Sequence, residues 1–495
     1  MSLLNRIESI GNRLPDPATL FAIATLLVMC LSQVAVSFDW AVQSSITGTL
    51  QARNLLASDG IWWFMSNMVE NFIKFPPLAI VLVGMLGIGL AEKSGLLAAV
   101  LHYVITRTPQ SLLTPMTIFL GIMSSITLDA GYVVLPPLAA ALYIAAGRSP
   151  LAGIAAVFAG ISAGFSANLF ITALDPMLAG LTQAAAGILV NNYQVAVTAN
   201  WWFMIASTVI LTLTGWGVTV WLVEPRLVQL PCEIEVEPVN TTEQTIVSKG
   251  LLFALLSLIA ASAIIGLLIF LPDAPLFGSG THFPRWVEVT VPLLFLVFFI
   301  PGTTYGIATG TIKNDKDIAR MLGETIAGLG PYIVLAFFAA QFIEAFKYSG
   351  LGEMLAISGG QTLAAMQLAS PLLLCGFILT VIFANLLIGS ASAKYAFLAP
   401  VFVPMLMQVG FSPELTQAAY RVGDSVSNVI TPLNPYMIII LILVQKYMKG
   451  SGLGTLVAMM LPYCVVFAIV WSGLLVFWML SGLPLGPGGQ LHFNF

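Results

Sequence analysis

Two stretches of this chain, about 260 residues apart, read as versions of one another. The first runs Asp129-AGYVVLPPL, Ser149-Pro150 and Ser166-ANLFITALDP; the second runs Ser392-AKYAFLAPV, Ser412-Pro413 and Ser427-NVITPLNP. Tyr132 pairs with Tyr395 and Pro150 with Pro413 at a spacing of 263 (395 − 132; 413 − 150), and Pro176 with Pro435 at 259 (435 − 176). In each copy small and polar residues interrupt an apolar run twice, at a hairpin-like tip and again just before a proline. In a membrane, paired interruptions of this kind point to a binding site built from broken helices.

Composition places the chain in a membrane. Hydrophobic residues make up 58% and charged residues 8%, with a mean hydropathy of +0.96, whereas a soluble domain carries about a quarter charged residues. The net charge of −4 and the lack of a basic cluster give no expectation of nucleic acid. Cys30, Cys232, Cys375 and Cys464 are scattered without a CxxC pair or metal-ligand spacing and read as packing residues. The first apolar run, Pro17 to Ser37, follows a polar leader carrying Arg6 and Arg13 and lacks a small-residue cleavage site, so it reads as a retained helix.

The expected fold is an all-α polytopic membrane protein: about nine transmembrane helices plus two re-entrant hairpins in inverted repeats, with two helices broken at mid-membrane. Spans are expected near 17–38, 70–91, 150–190, 201–223, 251–271, 287–302, 330–346, 413–448 and 455–481. The stretches 112–146 and 371–409 carry polar tips, Ser124-SITLDAG and Gly389-SASAK, and are expected to enter and turn back. Such tips are tolerated only where protein or an aqueous cavity receives them. Residues 1–224 form the first half (hairpin 112–146, broken helix 150–190), 225–250 a cytoplasmic linker, and 251–495 the second half (hairpin 371–409, broken helix 413–448).

With a cytoplasmic N-terminus, Arg6, Arg13, Lys93, Arg107, Arg148, Arg226, Lys249, Lys313, Lys316, Arg320, Lys446 and Lys449 fall inside, and Arg53, Lys74, Arg285 and Lys347 outside. Twelve against four agrees with the positive-inside rule. The same layout brings the hairpins in from opposite faces. Trp62-Trp63 and Trp201-Trp202 fit interfacial anchoring.

Ionisable residues at membrane depth are costly and tend to be functional. Asp129, Asp175, Lys394, Arg421 and Asp424 are the five. Arg421 and Asp424, three apart on one helix, are expected to pair, either as a structural ion pair or with Arg421 meeting an anionic substrate and Asp424 serving a coupling ion. Asp175 aligns with Asn434, so only one repeat keeps an ionisable group there. It has no basic neighbour in sequence and is the expected proton carrier, against a reading as a helix cap at Pro176. Asp129 and Lys394 lie at hairpin tips, where capping or contact with cavity water is the plainer role. Asn168 with Ser166, Asn428 with Ser425 and Ser427, and Asn385 with Ser390 and Ser392 supply oxygens that suit a small cation, sodium at Asn385, Asp424 and Asn428, or that satisfy freed backbone. Glu92 with Lys93 and Glu344 with Lys347 read as solvated helix ends.

Asp129-AGYVV, Gly164-FSANL, Ala384-NLLIGSASAKYAFLAP and above all Phe411-SPELTQAAYRVGDSVSNVITPLNPY resemble the AbgT family of bacterial inner-membrane transporters, from the leader to the last helix. The resemblance implies a bowl-shaped homodimer, proton-coupled transport of p-aminobenzoyl-glutamate or efflux of sulfonamides and p-aminobenzoate-related compounds, and functional positions at Asp175, Asn385, Pro413, Arg421 and Asp424. No resident cofactor is implied. The family carries Trp after the Ala-Lys of the second tip; here Tyr395 stands there, offering a ring that stacks on an aryl substrate.

Two rival classes have weaker residue support. A membrane hydrolase lacks its motifs, since Val422-Gly423-Asp424 misses the first glycine of GxGD and Gly164-Phe165-Ser166-Ala167-Asn168 the last of GxSxG. None of His102, His282 and His492 lies near the polar clusters. A passive channel has no need of inverted hairpins.

Overall fold

The computed structural model describes residues 15–44, 48–127, 130–227 and 244–494. Asp129, the leader arginines Arg6 and Arg13, and linker residues 228–243 with Cys232 lie outside them.

The described chain runs α1 (Pro17–Ser37), β1 (Ala41–Ser44), β2 (Gly48–Gln51), α2 (Ser58–Ile73), α3 (Pro76–Lys93), α4 (Leu96–Thr106), α5 (Leu113–Met123), α6 (Ala130–Ala145), α7 (Pro150–Phe158) and α8 (Leu174–Ala186). It continues with α9 (Trp201–Val218), which a π turn extends, α10 (Gln244–Phe270), α11 (Thr290–Thr309), α12 (Asp315–Gly328), α13 (Gly330–Tyr348) and α14 (Leu351–Ala365). The last elements are α15 (Ser370–Asn385), α16 (Ala391–Met407), α17 (Pro413–Val426), α18 (Tyr436–Tyr447) and α19 (Leu453–Ser481).

Prolines at the first or second position start α1, α3, α7, α13, α15 and α17, where their missing N–H costs nothing. Among the described residues six helical stretches are long and apolar enough to cross a membrane, one of them α2 with α3 and another α9 with its extension, and the α12–α13 pair, bent by 46°, makes a seventh. The expected nine spans counted each broken stretch once; their halves, of 9 to 14 residues, are shorter than a span. The all-α expectation needs one correction: β1 and β2 form an antiparallel hairpin, Ala41 opposite Gln51, in the connection between α1 and α2.

The stretches expected to turn back each form a helical hairpin, α5, continued by a 3-10 turn at Ser124–Thr127, with α6 in the first and α15 with α16 in the second, and the stretches expected to break are interrupted. α7 ends in a π turn (Ala159–Ala163) before α8, and α17 ends at Val426 before α18. A glycine in each repeat sets how closely hairpin and broken helix approach. A Cβ at Gly160 would run into the Ile118 carbonyl oxygen of α5, and one at Gly423 into the Ile378 carbonyl oxygen of α15. Small residues are what allow such approach between membrane helices.

The hairpins are anchored at opposite ends of α9. Beyond the first hairpin, Arg148 forms a two-pronged ion pair with Glu224, just past α9, at 2.8 and 2.6 Å. Beyond the second, Ser412 and Gly410 bond the C-terminal segment at Leu491 and Phe493, and that segment's Leu485 bonds Phe203 in the first turn of α9. The second arms of the two hairpins therefore end toward opposite ends of α9.

Candidate functional site

Each hairpin tip meets the break of its own repeat. Asn168 donates to Ser125 at 2.9 Å, and a Cβ at Gly389 would touch Leu433. The two breaks also meet each other, the Ser166 N–H donating to Ser425 Oγ at 3.1 Å across 259 residues of sequence. The polar interruptions thus converge at one place.

Two buried ion pairs lie there, and neither is the expected one. Arg421 donates to Asp175 Oδ1 at 2.6 Å and, through Nε, to Asn200 Oδ1 at 3.1 Å. Asp424 Oδ1 instead faces Lys394 Nζ at 2.6 Å. All four side chains are at most 2% exposed. The expectation that Arg421 pairs with Asp424 while Asp175 stands without a cation is corrected: an i,i+3 spacing brings two Cα atoms to one face, but side chains from α8 and α16 reach each of them first. Thr172 completes the shell around Asp175, its N–H and hydroxyl donating to Oδ2 at 2.6 and 2.9 Å.

Lys394 also donates to Asn385 Oδ1. The Asn385 amide nitrogen donates to Asp424 O, Ser427 Oγ and Asn428 Oδ1 at 2.9, 2.8 and 2.8 Å. The ammonium of Lys394 therefore takes up two of the oxygens expected to hold sodium. Three polar atoms at this centre, Ser166 Oγ, Arg421 Nη1 and Asp424 Oδ2, are buried without a hydrogen-bond partner among the described residues, and such atoms are uncommon in folded proteins.

Beside this core is a cavity of 720 Å³ lined by Leu387–Ser392 of the second tip, Asn428, and Leu433–Tyr436 of the second break. Tyr132, Phe165, Tyr332 and Tyr436 give it aromatic walls, and the Tyr132 and Tyr436 rings stack at 4.0 Å. A volume of about 300–1,000 Å³ is usual for small-molecule sites. Leu329 and Tyr332 place the cavity at the start of α13; a smaller one, lined by Tyr193, Lys74, Glu344 and Lys347, sits at the end of that helix. α13 is 19 residues long, so about 28 Å separates its ends. Glu344 is thus a half-buried wall residue, not a solvated end.

Of the residues singled out in sequence, Ser390, Ser392 and Asn428 line the large cavity. Asp175, Asn385, Arg421, Asp424 and Asn168 are closed off beside it. Tyr395 is fully buried, its hydroxyl 2.7 Å from Thr182 and its ring against Tyr420 at 4.1 Å, so no face is open to a ligand in this conformation. Pro413 starts α17 behind the cap Ser412. Two participants escaped the sequence reading, Asn200 and Thr172. Both are polar residues at helix starts, where capping is the default reading.

Apolar helices of membrane-spanning length, two helical hairpins and a buried polar centre where two interrupted helices meet suit a membrane transporter. The chain matches the model of the AbgT putative transporter family over residues 2–493 and belongs to that family. It is 34% identical over 486 residues to the p-aminobenzoyl-glutamate transport protein of Escherichia coli (strain K12), covering 97% of this chain and 95% of that one. Its fold matches the YdaH transporter of Alcanivorax borkumensis (TM-score 0.91, 41% identity, 96% of this chain and all of that one). It likewise matches MtrF of Neisseria gonorrhoeae, one of a class of antimetabolite efflux pumps (TM-score 0.90, 40% identity, 99% of this chain and all of that one). These relatives are transporters, and the hydrolase reading is set aside.

Proposed function

We propose that this protein is a secondary active transporter of small aromatic carboxylates and folate-related compounds, working by alternating access in a bacterial inner membrane with its N-terminus in the cytoplasm. The observation that carries the reading is the aromatic-walled cavity against the tip of one hairpin and the break of one helix, whose wall residue Leu174 adjoins Asp175, the partner of a buried guanidinium with an unpartnered nitrogen. Aromatic walls suit an aryl ring, and a guanidinium suits a carboxylate. The E. coli relative bears the name of p-aminobenzoyl-glutamate and the gonococcal one that of antimetabolite efflux; p-aminobenzoyl-glutamate, p-aminobenzoate and sulfonamides are the substrates we propose. A homodimer is the proposed assembly.

The coupling ion in this reading is the proton. Lys394 occupies Asp424 Oδ1 and Asn385 Oδ1, two of the oxygens a sodium ion bound at Asn385, Asp424 and Asn428 needs.

Equilibrium binding to the purified protein tests the substrate class. Labelled p-aminobenzoyl-glutamate is expected to bind saturably and to be displaced by p-aminobenzoate and by a sulfonamide. Absence of saturable binding removes the reading.

A further inference from the structure

Glu414 is the third carboxylate in the described core and the one without a cation. It is 2% exposed. The Tyr193 hydroxyl donates to its carboxyl group, 3.1 Å from one oxygen and 3.2 Å from the other. Its remaining carboxyl contacts are the Ser412 hydroxyl and its own N–H in the first turn of α17. Facing α17 are Tyr193 and Asp175, Tyr395 and Lys394 from α16, and His492 in the C-terminal segment, with Arg421 and Asp424 further along α17 itself; α15, α19 and the π turn contribute no charged side chain. Asp175 and Asp424 each hold a cation of their own. A buried carboxylate without a cation is costly, and binding a proton removes the charge.

Two features suit Glu414 to exchange that proton. Tyr193 lines the smaller cavity at the Tyr348 end of α13 while its hydroxyl reaches inward to Glu414, so one side chain joins the group to the face opposite the large cavity. One turn along α17, on the same face, the fully buried Gln417 has its Nε2 without a partner, a donor available to an ionised Glu414. Gln417 Oε1 accepts from Thr182, which bonds Tyr395. On the other side the Glu414 carbonyl accepts from Asn200, the residue that holds Arg421. Glu414 is thus bonded to one arm of the polar centre through its backbone carbonyl and stands one helical turn from the other.

We propose that Glu414 is the proton-binding carboxyl of this transporter, loaded and emptied through Tyr193 from the face opposite the large cavity. A hydronium ion in the smaller cavity gives its proton to the carboxylate and leaves as water; release reverses this. The proposal rests on the proton-coupled reading above.

Infrared difference spectroscopy on the purified full-length protein over a pH series reads the protonation directly. The protonated-carboxyl C=O band of wild type is expected to lose one component in Glu414→Gln; an unchanged band overturns the assignment whether or not transport is proton-coupled. In proteoliposomes, p-aminobenzoyl-glutamate is expected to drive proton movement in wild type, and Glu414→Gln to lose that movement while keeping substrate exchange. Proton movement in wild type that persists in Glu414→Gln overturns the inference and leaves the coupled reading standing. No proton movement in wild type overturns the coupled reading itself. Should Glu414→Gln fail to fold, Tyr193→Phe is expected to shift the pH profile of exchange, and an unshifted profile contradicts the route.

Discussion

Arg421 and Asp175 meet at 2.6 Å across the two repeats, and Asn434, the counterpart of Asp175 (434 − 175 = 259), also reaches into the opposite repeat, its amide 3.4 Å from Ser162 Oγ. By the spacing that relates Gly160 to Gly423, the counterpart of Arg421 is Phe158 (421 − 263), so Asn434 finds its polar partner one turn further along the helix. One crossing between the repeats is therefore charged and the other neutral. A symmetric scaffold has acquired an ion pair on one side only, and that asymmetry makes the charged crossing the place to look for substrate and coupling chemistry.

If the charge at this crossing is functional and not needed for folding, the neutral pair should substitute for it. Asp175→Asn alone leaves Arg421 buried without its anion and should cost about 3–5 kcal/mol of stability. Asp175→Asn combined with Arg421→Ser removes both charges and leaves a neutral amide and hydroxyl, as at the Ser162–Asn434 contact; it should recover much of that loss in thermal unfolding while transport stays absent. A double variant as unstable as the single one would make the pair structural.

Arg421 uses Nε and one Nη on Asn200 and Asp175, and Nη1 is unpartnered. Arg421→Lys keeps the charge but not this fork. Loss of one charge-assisted hydrogen bond, about 1.5–3 kcal/mol, should weaken binding of p-aminobenzoyl-glutamate roughly ten- to hundredfold and that of an uncharged aryl amide much less. Equal weakening would confine Arg421 to holding Asp175.

Lys394 bonds two of the oxygens expected to hold a sodium ion, Asp424 Oδ1 and Asn385 Oδ1. Wild type should therefore unfold at the same temperature in sodium and in choline salts. Lys394→Ala vacates Asp424 Oδ1 and Asn385 Oδ1 and should gain stability from sodium, since a ligand that binds only the folded state raises its stability. Sodium-dependent stabilisation of wild type would reinstate the cation site.

Gly160 and Gly423 hold equivalent positions against the two hairpins (423 − 160 = 263). Replacing either by Val overpacks the contact, a cost of about 1–3 kcal/mol per site. Both variants should give less folded protein, seen as reduced monodisperse yield. Full yield from either would show that the hairpin can shift away from its broken helix.

The architecture was legible because prolines and polar clusters leave marks in an apolar sequence. Ser149-Pro150 and Ser412-Pro413 announce helix starts, and the two polar tips have no place in a continuous span. Charge partners were not legible. The Arg421–Asp175 contact spans 246 residues, and nothing local tells Arg421 to prefer Asp175 over the nearer Asp424. Lys394, expected at a tip in contact with cavity water, is drawn in by Asp424 and Asn385. Tyr395 was expected to offer its ring to a substrate, but Thr182 and Tyr420, both distant or unremarked in sequence, close it off.

The central claim is that an ion gradient drives an aromatic carboxylate across the membrane. Its most direct test is movement of labelled p-aminobenzoyl-glutamate in proteoliposomes under a pH gradient of either polarity and, separately, a sodium gradient. The account predicts movement against the substrate's own concentration gradient under a pH gradient of one polarity, and none under sodium alone. Movement that only ever runs downhill, whichever gradient is imposed, would contradict it.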